Sequence, residues 1–226
     1  METVLPPYNK LVKLEKETLK LLYHYLCQWP ILSHAGGSAQ QCWYEKHPTD
    51  FQFSIYWDID YGNQECRVFL GAEIHKAVAD GVVRNASYCI CAVQGRQKPK
   101  RVLRKFHFDY VTARRDQRAQ HPRFHLQYCG GLPPALSAIG VTDELMKELI
   151  PEVEGPRIFF GPMTLGLLMN MAFYEFPSDE TDAIRKTGEW RNLVRENVME
   201  ILVPYYKRCA ELGRQDKVYF FDEVYV

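Results

Sequence analysis

Three histidines and an aspartate, His107, Asp109, His121 and His125, fall within a span of 19 residues. Imidazole is the side chain best suited to moving protons near neutral pH, and here it is surrounded by positive charge. Arg96, Lys98, Lys100, Arg101, Arg104, Lys105, Arg114, Arg115, Arg118 and Arg123 are offset only by Asp109 and Asp116, which leaves residues 96–123 at a net +8. The whole chain is formally neutral, with 28 basic and 28 acidic residues, so the remainder carries −8. A field this polarised points to an anionic partner.

The set could do three kinds of work. Two imidazoles flanking a phosphodiester can take the proton from a 2′-hydroxyl and return one to the leaving 5′-oxygen, while cations stabilise the charge that builds on phosphorus. In that scheme His107 and His125 are acid and base in either order, with His121 beside them, and Asp109 orients an imidazole. Lys105, Arg114, Arg115, Arg118 and Arg123 hold phosphate, guanidinium having the fork that matches it. No metal is needed. Alternatively, His107, Asp109, His121 and His125 offer imidazole and carboxylate to a divalent metal, although Pro122 breaks any helical pairing of His121 with His125. The third use is binding without chemistry, in which the basic loop grips a nucleotide or a nucleic-acid backbone. Against all three stands the plain alternative of a hydrogen-bonded His–Asp couple on a sheet surface and a solvated arginine loop.

Periodicity predicts the elements that would position these groups. From Asn9 to Trp29, Leu11, Leu14, Leu22, Tyr25 and Trp29 recur at helical spacing and Pro30 ends the run, which predicts an amphipathic helix. Ser33–Asp50, with Gly36-Gly37, reads as a loop. The period then switches to two. Phe51 to Ile59, Cys66 to Ile74, Ala86 to Gln94 and Lys100 to Tyr110 are predicted strands, with a hairpin turn at Asp60-Tyr61-Gly62-Asn63.

In the fourth of these strands Val102, Arg104, Phe106, Phe108 and Tyr110 share one face, and Leu103, Lys105, His107 and Asp109 share the other. A loop, Val111–Arg123, leads to a fifth strand beginning at Phe124. If the fourth and fifth strands pair, His125 comes to the face of His107, and Arg104 lies on the apolar face, away from phosphate.

The second half reads as helical. Thr142 can cap a helix through Ile150, Gly161-Pro162 opens a buried helix to Phe176, and a long helix runs from Asp179 to Leu212. Its apolar side carries Trp190, Leu193, Val194, Ile201 and Leu202, and Pro204 should kink or divide it. Lys217–Val226 reads as a last strand. The expected architecture is α+β in one domain, 1–226. An antiparallel meander of about five strands (51–129) is joined by an N-terminal helix (1–30) and a helical C-terminal half (142–212) packed on one face.

With 226 residues, 46% of them hydrophobic, the chain is long enough to core one domain. Its seven cysteines are odd in number and never spaced C-x-x-C, which argues against a disulfide framework or a zinc ribbon. Met1–Lys20 lacks the apolar core of a signal peptide. Phe159–Phe173 is interrupted by Pro162, Thr164 and Asn170 and falls short of the roughly 20 residues that span a bilayer. A cytoplasmic protein without a membrane segment is expected, its oligomeric state unspecified by the sequence.

The order Phe106-His107-Phe108-Asp109-Tyr110, His121-Pro122-Arg123-Phe124-His125, then Pro156-Arg157-Ile158 with Gly161-Pro162 and an apolar helix ending in Phe173 and Phe176, resembles a group of uncharacterised bacterial proteins. These share an aromatic-Asp strand, a His-Pro-x-x-His turn and an Arg before a Pro-initiated helix, and are encoded among defence and toxin–antitoxin loci. More distantly, the order is similar to small TumE-type toxins, which are ribonucleases and carry a further histidine where Gln120 stands here. The resemblance spans residues 104–176. It implies functional roles for Asp109, His121, His125 and Arg157, the last as a further phosphate contact.

The expectation is a metal-independent ribonuclease of a prokaryotic defence or toxin–antitoxin system, acting on RNA or a nucleotide, with a protein partner from the same locus. The alternatives are a non-catalytic nucleotide- or RNA-binding accessory protein of an antiviral complex and a scaffold that docks an acidic partner.

Overall fold

The computed structural model describes residues 5–28, 42–47, 50–62, 64–76, 81–95, 101–111, 124–128 and 158–214. The expected helix at 142–150, the loop at 112–123 and the last strand at 217–226 lie outside the described residues.

Helix α1 spans Tyr8–Gln28. Leu11, Val12, Leu14, Leu19, Leu22 and Tyr25 form its buried stripe, while Lys10, Lys13 and Lys20 stay exposed, the three-to-four spacing of a helix with one side on a core. The carbonyl of Pro7 accepts from the amides of Lys10 and Leu11, and the Tyr8 amide donates to the carbonyl of Gly81 at 3.1 Å, fastening the start of the helix to the sheet.

Among the described residues seven strands follow: β1 (Cys42–His47), β2 (Asp50–Tyr61), β3 (Gln64–Lys76), β4 (Val83–Gln94), β5 (Arg101–Val111), β6 (Phe124–Gln127) and β7 (Ile158–Phe159). Each pairs antiparallel with the next, so the sheet is a meander in chain order. The five expected strands are β2 to β6. Two more join the edges: β1 falls in the segment expected as a loop, and β7 interrupts the half expected as helical. Neither has a run long enough for a period of two to show. At the tip of β2 and β3, Tyr61 pairs with Gln64 across a two-residue turn whose Gly62 has φ +56°, a conformation open to glycine at little cost.

Alternation divides the sheet into two faces. Phe51, Phe53, Ile55, Trp57 and Ile59 join Val68, Leu70, Ala72 and Ile74, Tyr88 and Ile90, and Phe108 and Tyr110 in one continuous core with α1 and the C-terminal helices. The opposite face holds a smaller apolar group, Phe69, Cys89, Cys91 and Val93, against which Tyr56 and Val102 pack. Val102 was expected on the core face with Arg104. The ladder pairs Ala92 with Arg104 but Val93 with Val102, so Leu103 is an extra residue, a β-bulge that reverses the phase of the strand before it. Leu103 itself packs on the main core.

The C-terminal helices are α2 (Leu165–Glu175), α3 (Asp179–Lys186), α4 (Gly188–Asn197) and α5 (Val203–Arg214), with a five-residue π turn, Val198–Leu202, between the last two. The helices depart from the expected ones at two points. Helix α2 begins after Thr164, whose hydroxyl accepts from the Leu167 amide, rather than at Pro162; a side-chain cap outweighs the preference of proline for the first turn. The single helix expected from Asp179 to Leu212 breaks at Thr187, an extended residue (ψ 148°) whose hydroxyl caps α4.

Pro204 lies in the first turn of α5, directly after the π turn that divides the stretch. The wide turn immediately before it provides the local rearrangement that a missing N–H and a ring against the fourth preceding carbonyl demand.

Two buried polar side chains fix how these layers meet. Glu15 of α1 is wholly buried; its carboxylate accepts from the Tyr88 hydroxyl at 2.6 Å and from the Leu165 amide at 2.9 Å, so one side chain ties α1 to β4 and to the N-terminus of α2. Asn197 of α4 is also fully buried and donates through Nδ2 to the carbonyl of Leu193 at 2.9 Å. Gly166 lies against it: a Cβ there would meet Asn197 Nδ2 at 2.8 Å and Cγ at 3.0 Å.

Gly166→Ala gains at most about 1 kcal/mol of helix propensity against roughly 1–3 kcal/mol of overpacking. The expected outcome is a lower melting temperature, by about 2–4 °C for each kcal/mol lost. Thermal unfolding checks this, and an unchanged or raised midpoint means that α2 and α4 can separate at no cost.

Candidate functional site

Strands β5 and β6 pair as the sequence reading required. His107 stands opposite Gln127 and Asp109 opposite His125, so positions 107, 109 and 125 share the face of the sheet that lies away from the helices. Antiparallel register makes His125 the direct neighbour of Asp109 and a diagonal neighbour of His107, Cα atoms in such diagonal pairs lying about 7–8 Å apart.

The register extends the site into strands the sequence reading did not connect with it. Gln52, Glu73, Ser87, Asp109 and His125 form one row across β2 to β6; Ser54, Gly71, Cys89, His107 and Gln127 form the next. Gln52, Ser54, Glu73 and His107 are buried. The Ser87 hydroxyl donates to Asp109 Oδ1 at 2.6 Å, a short charge-assisted hydrogen bond that holds the carboxylate in place.

Glu73 and Ser87 escaped notice because nothing local marks them; only strand pairing over 22 residues brings Ser87 to Asp109. Further along the same face Asp58 accepts two hydrogen bonds from Arg67, at 2.6 and 2.9 Å, and the guanidinium lies over the Tyr56 ring. That pair closes the far end of the strip.

The cysteines on this face are poor nucleophiles. Burial pushes the Cys91 thiol up to about 12, against a smaller opposing pull from the Lys105 charge, and burial pushes Cys89 well above its ordinary value. At neutral pH both are protonated and hydrophobic in character, as expected for packing residues. Cys66, Cys89 and Cys91 are buried and in no disulfide.

The expected phosphate contacts divide. Lys105 is on the same face as His107 but buried, at 9% exposure, opposite Cys91. Arg104 is on the core face, where its guanidinium meets Glu175 of α2 at 3.0 Å. Arg114, Arg115, Arg118, Arg123, His121 and Arg157 lie outside the described residues, as does the side chain of His125. The metal set His107, Asp109, His121 and His125 is therefore described only at its first two members. Among the described residues no group of three histidine, cysteine, aspartate or glutamate side chains could hold an ion.

No described helix is long and apolar enough to cross a membrane. Compared with known proteins, the chain matches no family model, no curated protein and no solved structure.

Proposed function

We propose that this chain is a metal-independent ribonuclease with His107 and His125 as its acid–base pair. One observation carries the reading: the pairing of Asp109 with His125, one diagonal step from His107 on a single sheet face. Imidazoles that share a phosphodiester must lie on one side of it within hydrogen-bonding reach, and opposite faces of the sheet would have ruled this out. Asp109, steadied by Ser87, stands opposite position 125 on the neighbouring strand, where a carboxylate can orient an imidazole, and the arginines at 114–123 follow directly from the end of β5 in the chain. A bacterial defence or toxin–antitoxin setting is part of the proposal and rests on the motif order alone.

A non-catalytic RNA- or nucleotide-binding role is favoured by a different observation. His107 is only 4% exposed and its Nε2 is buried, whereas an acid or base must reach its substrate. One assay separates the two readings: labelled RNA incubated with wild type, His125→Ala and Arg114→Ala, in EDTA and then with manganese. Cleavage in EDTA that disappears in His125→Ala supports the ribonuclease; cleavage only with manganese defeats the metal-free mechanism. Absence of cleavage in every case, with salt-sensitive RNA binding lost in Arg114→Ala, establishes the binding role.

A further inference from the structure

We infer that a groove on the helical layer, on the other side of the sheet from His107 and Asp109, binds single-stranded RNA. The groove has a volume of about 440 Å³ and lies where α2, α3 and α4 meet, with Tyr174, Asp182, Arg185, Lys186, Arg191 and Arg195 among its lining residues. That size is in the range of small-ligand clefts. Its floor is rigid: the Trp190 indole, 1% exposed, donates to Asn170 Oδ1 at 3.2 Å.

The charges in the groove are not balanced from within. Asp182 takes Arg185, at 2.9 Å, and Lys186, Arg191 and Arg195 have no acidic partner among the described residues. Arg191 and Arg195 are one turn apart on α4, a like-charge spacing that costs an isolated helix a few tenths of a kcal/mol and sets two guanidinium stems roughly 5–6 Å apart. Three cations without an ion-pair partner among the described residues, lined along one groove, fit a ligand with repeated negative charge.

The aromatic side chain narrows the class. The Arg185 guanidinium lies 3.3 Å above the Tyr174 ring, yet Tyr174 remains 63% exposed, so one ring face is braced while much of the side chain is open to solvent. A cationic groove beside an open aromatic ring is how proteins bind single strands, phosphates on the cations and a base stacked on the ring. An acidic peptide would use the cations and leave the ring without a role. The inference does not depend on cleavage at His107 and His125.

The test uses the full chain and a short fluorescein-labelled 2′-O-methyl oligouridylate, which cleavage through a 2′-hydroxyl cannot cut, with fluorescence anisotropy in EDTA at several salt concentrations. The charge reversal Arg191→Glu with Arg195→Glu, at exposed positions, is expected to weaken binding at least about tenfold and to reduce the log–log salt slope by roughly 1.4, about 0.7 for each lost phosphate contact. Tyr174→Ala is expected to weaken it roughly 5- to 100-fold through lost stacking.

Unchanged circular dichroism confirms that the variants fold. The inference is overturned if wild type does not bind the oligonucleotide or if the charge-reversed protein binds it as wild type does. It is equally overturned if polyglutamate competes as well as RNA and Tyr174→Ala has no effect, which identifies an acidic protein ligand instead. Intact binding of this probe by a protein that does not cut unmodified RNA defeats the ribonuclease reading and leaves this one standing.

Discussion

His125→Ala is expected to slow cleavage of labelled RNA in EDTA by two to four orders of magnitude, the range that one positioned acid or base contributes. The sheet frames the expectation. Removing an imidazole from position 125 leaves the backbone ladder between β5 and β6 intact, so Asp109 keeps its hydrogen bond from Ser87 and the lost rate is not lost folding.

A pH–rate profile adds a reading that a structural role would not move. Acid and base acting together give a bell, and a variant with one of them removed keeps a single limb. Asp109→Asn is expected to cost less, because it preserves shape and removes only the charge that favours imidazolium. A residual rate in His125→Ala equal to that of wild type would sink the proposal.

Stability should decline as pH rises from 5 to 8, and Glu15 should account for the largest single share. Burial raises its carboxyl from the ordinary 4.5 to about 7, outweighing the hydrogen bonds from the Tyr88 hydroxyl and the Leu165 amide that pull it down. Between those two values the folded chain holds a proton that the unfolded chain has released. Stability from this group is therefore complete below about pH 4.5 and is lost as pH rises through 7. The difference corresponds to roughly 3 kcal/mol, at about 1.4 kcal/mol per pKa unit.

Glu15→Gln removes the titration. Its amide matches the protonated carboxyl in shape and pattern: the oxygen accepts from the Leu165 amide and the NH2 group donates to the Tyr88 hydroxyl, which can turn to accept it. Urea unfolding of both proteins at pH 5 and pH 8 is the measurement. The two proteins are expected to be close in stability at pH 5, with wild type falling behind by roughly 3 kcal/mol at pH 8. A gap that stays constant means that Glu15 does not titrate in this range.

The sheet was legible because its strands obey a period of two for long stretches: Phe51 to Ile59 and Cys66 to Ile74 could not be read otherwise. The same alternation placed His107, Asp109 and His125 on one face. What escaped were features with no local signature. Strand β1 carries charged residues at its end where a third apolar position would have revealed it, and β7 is two residues long. The break at Thr187 is set by a hydroxyl that caps the next helix, and the approach of Gly166 to Asn197 depends on helix packing.

Glu15 reads in sequence as one more charge among the lysines of α1; only the position of the helix over Tyr88 and Leu165 buries it. Ser87 likewise gains its meaning from a strand partner 22 residues away.

The bulge at Leu103 gives β5 two segments of opposite phase, with Val102 on one side of the slip and Lys105, His107 and Asp109 on the other. It works as a slack link: a residue gained or lost in β5 ahead of Lys105 can be taken up by making or erasing the bulge, without rotating position 107 into the core. The start of the strand is thereby uncoupled from the register that His107 and Asp109 keep with β6.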